Sequence, residues 1–222
     1  MKIDITYDLV CPWCYLGLVQ LERAITRSAP AGVPATGMPA TGMPATLFPF
    51  QLTPDLPAGG VDNRDFFERR VGKERAAAMF QLMEEKGREE GIEIDYARVA
   101  TLPNTYLAHQ LVQLANGRGS ALRLAIELMA AHFSGARRIG ERADLIELAG
   151  RHGIGKEEVE AHWRADAAAL AMWAAALRAS THAIRGVPHV VVDGVHYPGA
   201  LPTARWQAIL GRSDRIDAIG GA

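Results

Sequence analysis

The chain contains two cysteines, and only two residues separate them, in Cys11-Pro12-Trp13-Cys14. A thiol reacts as its thiolate, and the unpaired N–H groups at a helix N-terminus stabilise that anion. Pro12 suits the first turn of such a helix because its missing N–H would have no intrahelical partner there. We therefore expect Cys11 to attack a disulfide and Cys14, three residues on, to resolve the mixed disulfide.

Two predicted elements place the cysteine pair at a helix N-terminus. Residues 2–7 alternate polar and apolar side chains, which is the period of a strand. After them, Cys14, Leu18, Leu21 and Ile25 recur at the spacing of one helix face. The sequence thus predicts a strand, then the cysteines, then an amphipathic helix.

Two other uses of the cysteines compete with redox chemistry. A structural zinc site needs four ligands, but the chain has no second cysteine pair and its seven histidines include no closely spaced pair. Inert buried thiols would gain nothing from a helix N-terminus. The sequence favours a redox or thiol-dependent site over a zinc site or inert thiols, and no metal site is predicted.

Composition and charge exclude further classes. The 222 residues have a formal net charge of -1 and a pI of about 6.7, which gives no electrostatic reason to expect nucleic acid or an anionic membrane as a partner. No apolar run approaches the roughly 18 residues of a membrane span. The N-terminus lacks the pattern of a secretory signal, so we expect a cytoplasmic protein.

The middle of the chain changes character twice. Residues 29–45 repeat Pro-Ala-Thr-Gly-Met, which forbids a helix and predicts an expanded surface loop. Residues 47–52 then resemble a short strand, with Pro49 indicating an edge or a bulge. From about Val61 to Ser180 the patterns are helical.

Near the C-terminus the pattern returns to strands. Residues 186–192 contain a β-branched run, and Asp193-Gly194 is a strong signal for a tight hairpin. Pro202 then opens a last helix. Val187-Pro188 begins the first of these strands, and a cis bond there would expose backbone groups with which an extended substrate can pair. By itself the dipeptide is weak evidence, since most X-Pro bonds are trans.

Blocks distributed over almost the whole chain, except the repeat, resemble the FrnE-like branch of the DsbA oxidoreductases. They are Asp8 to Gly17, Pro49 to Leu52 with Pro54 to Pro57, Pro103 to Thr105 with Ala108-His109, and Gly186 to Pro188 followed by Gly199-Ala200. The resemblance implies an α/β, thioredoxin-like fold with a large all-helical insertion domain. We expect residues 1–60 and 182–222 to form the thioredoxin-like domain and residues 61–181 the insertion.

The resemblance also implies roles. Cys11 matches the nucleophile, Cys14 the resolving cysteine and Pro188 the cis-proline. The residues expected to contact substrate are Pro12, Trp13, Val187, Pro188 and His189.

Several neighbouring residues have two interpretations. Asp8 matches a family position and is a candidate for proton transfer, although capping of the turn is favoured. His189 is expected near the cysteines, as a titrating group or a solvated side chain. Asn104 is interpreted as a helix N-cap, His109 as a satisfied core histidine, and Trp13 as an exposed side chain that meets substrate.

Three hypotheses for function follow. The first is a dithiol-disulfide oxidoreductase acting on protein or small-molecule disulfides, with the Cys11–Cys14 disulfide as its redox group and no other cofactor. The second is a glutathione-dependent isomerase or transferase of the 2-hydroxychromene-2-carboxylate isomerase or kappa type, in which serine usually replaces Cys11; the presence of both cysteines favours redox chemistry. The third is a non-catalytic binding or redox-sensing module. Glutathione as co-substrate and a homodimer are expected by resemblance alone.

Overall fold

The computed structural model describes residues 1–28 and 45–217, with side chains described as far as residue 211. The predicted repeat loop lies outside these residues, apart from Ala45. The elements, in chain order, are β1 (Ile3–Tyr7), α1 (Pro12–Arg27), β2 (Ala45–Pro49), β3 (Val61–Asp62), α2 (Asn63–Val71), α3 (Lys73–Glu89), β4 (Thr101–Leu102), α4 (Tyr106–Asn116), α5 (Ala121–Phe133), α6 (Arg142–Arg151), α7 (Lys156–Arg164), α8 (Asp166–Thr181), β5 (His189–Val192), β6 (Val195–Pro198) and α9 (Thr203–Asp217).

Four strands form the main sheet, in the order β2-β1-β5-β6. β1 pairs in parallel with β2 and antiparallel with β5, and β5 pairs antiparallel with β6. A parallel neighbour requires a crossover, and α1 lies between β1 and β2 in the chain. The β5–β6 connection is the predicted tight hairpin, in which both Asp193 and Gly194 have positive φ, at 47° and 85°, as a type I′ turn requires.

The pairing register gives the sheet two faces of different character. On one face Ile5 lies opposite Leu47 and Val190, and all three are buried. This face belongs to the core that α1 and α9 also enter, and Trp206 of α9 contacts the ring of Tyr197. Alternation along β1 directs the next residues to the opposite face.

The opposite face of the sheet is held to α8 by one arginine. Arg178 donates a hydrogen bond to Asp4 Oδ2 over 2.6 Å, and its guanidinium carbon lies 3.9 Å from the ring centroid of Phe48. Asp4 is itself buried. An ion pair and a cation–π contact therefore fasten the helical part of the chain to the sheet.

Helices α2 to α8 lie in the chain between β2 and β5, where the sequence predicts a helical insertion. The structure adds a two-residue ladder within this region, in which β3 pairs with β4. The last helical part of this region is divided at Ala165 into α7 and α8. Apolar side chains from the sheet, α1 and α3 to α7 form one continuous core cluster. The domain division at residues 60/61 and 181/182 stays a prediction.

The second strand begins and ends earlier than predicted, at Ala45–Pro49 instead of 47–52. β1 ends at Tyr7, which is opposite Pro49. Beyond that point the backbone N–H groups find other acceptors: Phe50 donates to the carbonyl of Tyr7, and Leu52 donates to a carboxylate oxygen of Asp8. Pro49 therefore marks the end of this edge strand.

In the described part of the chain, none of the helices combines the length and apolar character needed to cross a bilayer.

Candidate active site

The cysteine pair lies where β1 gives way to α1. Cys11 is the N-cap residue, with extended backbone angles, and Pro12 occupies the first helical position. The backbone N–H of Cys11 donates to the carbonyl of Asp8, and the Cys11 carbonyl accepts from Tyr15 N. No side chain caps the helix, so free N–H groups of the first turn face the Cys11 sulfur.

The two thiols differ in acidity. The pKa of Cys11 is lowered, first by a hydrogen bond from the Cys14 side chain and then by the backbone N–H groups of Cys14 and Trp13, against the opposing effects of burial and of Asp8. The pKa of Cys14 is raised well above its usual range, chiefly by burial and by its hydrogen bond to Cys11. Cys11 therefore loses its proton at lower pH than Cys14 does.

The segment before β5 lies against the first cysteine. The peptide bond between Val187 and Pro188 is cis, and the Cys11 thiol donates to the carbonyl oxygen of Val187 over 3.7 Å. Pro188 also approaches α1 closely: a Cβ atom on Gly17 would lie 3.1 Å from its Cγ. Glycine at this helical position therefore allows the cis-proline segment to pack on α1.

A family model for the DSBA-like thioredoxin domain matches residues 2–211. The chain belongs to this family. The predicted resemblance to DsbA oxidoreductases and the predicted fold class are thus confirmed. No curated protein matches the chain in sequence.

Solved structures with the same fold include proteins described as redox enzymes and an isomerase. A probable DsbA oxidoreductase from Streptomyces coelicolor is 26% identical with a TM-score of 0.79, and the match covers 96% of this chain and 89% of that one. The cytosolic disulfide reductase DsbM from Pseudomonas aeruginosa is 19% identical with a TM-score of 0.61, covering 97% and 100%. A 2-hydroxychromene-2-carboxylate isomerase is 13% identical with a TM-score of 0.65, covering 100% of both chains. The last two show the fold alone.

In this DsbA-like chain Asp8 does not cap the helix, which corrects the favoured prediction. Its side chain is fully buried and makes no capping hydrogen bond to α1. Oδ2 accepts from Leu52 N over 2.7 Å, while Oδ1 accepts from Thr105 Oγ1 over 3.4 Å and lies 3.1 Å from His109 Nε2. The helix can begin without a side-chain cap because Pro12 removes one of its free donors.

His109 is the satisfied core histidine that the sequence predicts, and its partners Tyr7 and Asp8 come just before the cysteine pair in the chain. It is fully buried on α4, and its Nδ1 lies 3.3 Å from the hydroxyl oxygen of Tyr7. Asn104 caps α4 as predicted, since its side-chain oxygen accepts from Tyr106 N, although the N-cap position itself is Thr105. The Asn104 amide also donates to the carbonyl of Leu56.

His189 does not face the cysteines as predicted. Its Nε2 lies 2.9 Å from Nδ1 of His196, and the pKa of His189 is lowered by partial burial and then by His196, Arg178 and His182. The strand register explains the difference. His189 pairs with Thr6, so its side chain shares the face of Asp4 and Arg178 rather than that of the buried Val190.

Trp13 is exposed, at 43% of its side-chain surface, as predicted from its position between the cysteines. Pro12 and Val187 are half-buried and Pro188 is buried. These residues surround the mouth of the site. Their contact with substrate stays a prediction.

Two further side chains, the half-buried Tyr96 and the buried His132, feel the charges of Cys11 and Asp8 respectively, and the local sequence gives no signal for either. The pKa of Tyr96 is raised, first by burial and then by Cys11, so its phenol stays protonated. The pKa of His132 is lowered to about 4 by burial, so its ring is neutral at physiological pH. Both come from segments more than 80 residues beyond the cysteines in the chain, and only the tertiary fold brings them together.

An apolar cleft of about 580 Å³ lies between the end of β2 and α8, and its walls include Phe50, Tyr106 and Trp173. Among the residues that the structure describes, no group of three His, Cys, Asp or Glu side chains could hold a metal ion.

Proposed function

We propose that the chain is a dithiol-disulfide oxidoreductase in which Cys11 attacks and Cys14 resolves. The observation that carries the proposal is the opposite change in acidity of the two thiols, lowered at Cys11 and raised at Cys14. A nucleophile must be a thiolate before it attacks, whereas a resolving thiol that stays protonated does not compete for the substrate.

The reaction proceeds in two exchanges. The Cys11 thiolate attacks one sulfur of a substrate disulfide, which forms a mixed disulfide and releases the other substrate sulfur as a thiolate. Cys14 then loses its proton and attacks the Cys11 sulfur, which forms the Cys11–Cys14 disulfide and releases the second substrate thiol. Two electrons pass from the protein to the substrate, and two molecules of a thiol such as glutathione then restore the dithiol and leave as their own disulfide. The same steps in reverse oxidise a substrate dithiol.

The substrate is a disulfide or dithiol of a protein or a small molecule. Val187 is half-buried and its carbonyl oxygen lies 3.7 Å from the Cys11 sulfur, and an extended substrate segment can pair with such backbone as an added strand. The apolar cleft lined by Phe50, Tyr106 and Trp173 offers a place for one apolar side chain of the substrate. Glutathione is proposed as the small thiol, because the structure of DsbM, which has the same fold, has also been solved with glutathione.

We also infer a cytoplasmic site of action. DsbM, which shares the fold, is described as a cytosolic disulfide reductase. The chain has only two cysteines, three positions apart, whereas a disulfide-stapled secreted fold would need more of them spread along the chain.

The test compares three forms of the protein in reduction of a disulfide substrate by glutathione. Cys11→Ser is expected to abolish turnover, and Cys14→Ser to halt it at the mixed disulfide, visible by mass spectrometry. The alternative of a glutathione-dependent isomerase requires Cys11 but not Cys14. Full turnover by Cys14→Ser, or any turnover by Cys11→Ser, would therefore contradict the oxidoreductase.

A further inference from the structure

The fully buried side chains of Asp8 and His109 form a pair at the turn that leads into the redox site, where the Asp8 carbonyl accepts from Cys11 N. Every polar atom of the pair has a partner: Asp8 binds Leu52 N and Thr105 Oγ1, and the two ring nitrogens of His109 face Asp8 and Tyr7. A carboxylate accepts hydrogen bonds only, so Nε2 of His109 carries a proton. These partners do not fix whether Nδ1 of His109 also carries a proton.

Tyr7 allows Nδ1 to exist in either state. The pKa of Tyr7 is raised well above its usual range, by burial and then by Asp8 and Cys14, so the hydroxyl keeps its own proton. A hydroxyl group donates and accepts. It can therefore donate to a neutral His109 ring or accept from a charged one, and the ring can gain a proton without losing its hydrogen bond.

Reduction of the disulfide creates a need for such a proton. It places a thiolate at Cys11 close to the Asp8 carboxylate, and that carboxylate raises the pKa of both Cys11 and Cys14. Two like charges in a buried region are unfavourable, and a positive charge on His109 would offset one of them.

The other titratable groups that face this region keep one protonation state near neutral pH. Tyr7 on β1 and Tyr96, before β4, stay protonated. His132 on α5 stays neutral because its pKa lies near 4, and Cys14 on α1 holds its own proton. Within the described residues this leaves His109, which has a hydrogen-bond partner at each ring nitrogen.

We propose that His109 is a positioning residue of the redox site, which takes up a proton on Nδ1 when the Cys11–Cys14 disulfide is reduced and releases it on oxidation. The inference rests on the proposed oxidoreductase function. Reduction by a thiol such as glutathione then consumes two electrons and two protons, leaving the Cys11 thiolate, the Cys14 thiol and a charged His109. Without His109 it consumes two electrons and one proton.

The test measures the equilibrium of the cysteine pair with glutathione at several pH values between about 6 and 8, the range in which histidine titrates. His109→Gln keeps a donor for Asp8 and an acceptor for Tyr7 but cannot become charged. Glutathione gives up two protons per two electrons, so the equilibrium constant of the unchanged protein with glutathione is expected to stay nearly constant with pH. In His109→Gln one of these protons is released, and the equilibrium constant for reduction is expected to rise by up to tenfold per pH unit, or about 30 mV. His152→Gln is the matched control, since His152 pairs with Glu127 over 2.8 Å on α5, and it is expected to follow the unchanged protein.

Each outcome bears on one claim. Equal slopes for His109→Gln and the unchanged protein would overturn the role of His109. Absence of any reversible two-electron equilibrium in the unchanged protein would instead overturn the proposed function. A second readout needs no variant: ¹⁵N spectra of labelled histidine at neutral pH are expected to show a charged His109 ring in the reduced protein and a neutral ring in the oxidised one. The same ring state in both forms would also overturn the inference.

Discussion

The thiol of Cys11 lies 3.7 Å from the carbonyl oxygen of Val187, which precedes the cis peptide bond to Pro188. The sequence separates the two residues by 176 positions, and the sheet brings them together because β1 and β5 are direct neighbours. Cys11, which follows β1, thus lies against the backbone of Val187, which precedes β5. The predictions below depend on this arrangement and on the elements that hold it.

The acidity of Cys11 depends on a hydrogen-bond donor at Cys14. We expect Cys14→Ala to move the midpoint of the pH profile for Cys11 alkylation to higher pH, because the side-chain hydrogen bond that contributes most to lowering its pKa is lost. Cys14→Ser keeps a donor and is expected to shift the midpoint less. The rate of iodoacetamide labelling against pH measures both. Identical midpoints in the two variants would show that the donor has no role.

Close packing at Gly17 holds the cis-proline segment on α1. Gly17→Ala places a Cβ atom 3.1 Å from Pro188 Cγ and 3.3 Å from Ala200 Cβ, and overpacking of this kind costs about 1–3 kcal/mol. We expect lower stability in urea unfolding and slower reaction with glutathione disulfide. Gly150→Ala on α6 is the control, because nothing lies within 4 Å of its added Cβ and alanine favours a helix. Equal effects of the two substitutions would contradict this account.

Trp13 is expected to contribute to substrate binding and little to stability. It is 43% exposed, whereas Trp206 is 1% exposed. Trp13→Ala should change the free energy of unfolding by less than about 0.5 kcal/mol and raise KM for a protein disulfide. Trp206→Ala, in the core, should cost about 3–5 kcal/mol. An unchanged KM for Trp13→Ala would show that Trp13 does not contribute to substrate binding.

The ion pair between α8 and the sheet is expected to matter for stability. Arg178 is 21% exposed and its partner Asp4 is 8% exposed, at 2.6 Å. Arg178→Met leaves Asp4 without this donor and should destabilise the protein by about 1–3 kcal/mol. Arg69→Met removes an exposed pair with Asp65, at 82% and 62% exposure, and should cost less than about 0.5 kcal/mol. Urea unfolding compares them, and equal losses would refute the structural role of Arg178.

Local patterns in the sequence were sufficient for the elements around the cysteines. Alternation at residues 2–7 and the apolar spacing after Cys14 predicted β1 and α1, since both patterns depend on near neighbours alone. Asp193-Gly194 predicted its hairpin for the same reason, because the turn requires two residues that tolerate positive φ.

The environment of Asp8 could not be predicted in this way. Its partners Leu52 and His109 lie 44 and 101 residues away, and an aspartate before a helix has a capping role in the local pattern. The orientation of His189 was missed for a related reason. Which face a strand residue occupies is decided by its pairing with β1, and no pattern in five or six residues contains that register.

The most direct test of the account is the equilibrium of the Cys11–Cys14 pair in a series of glutathione redox buffers, followed by Trp13 fluorescence and by alkylation of free thiols. The account predicts one reversible two-electron transition between dithiol and intramolecular disulfide. A pair that stays reduced throughout, or that stops as a stable mixed disulfide with glutathione, would contradict it.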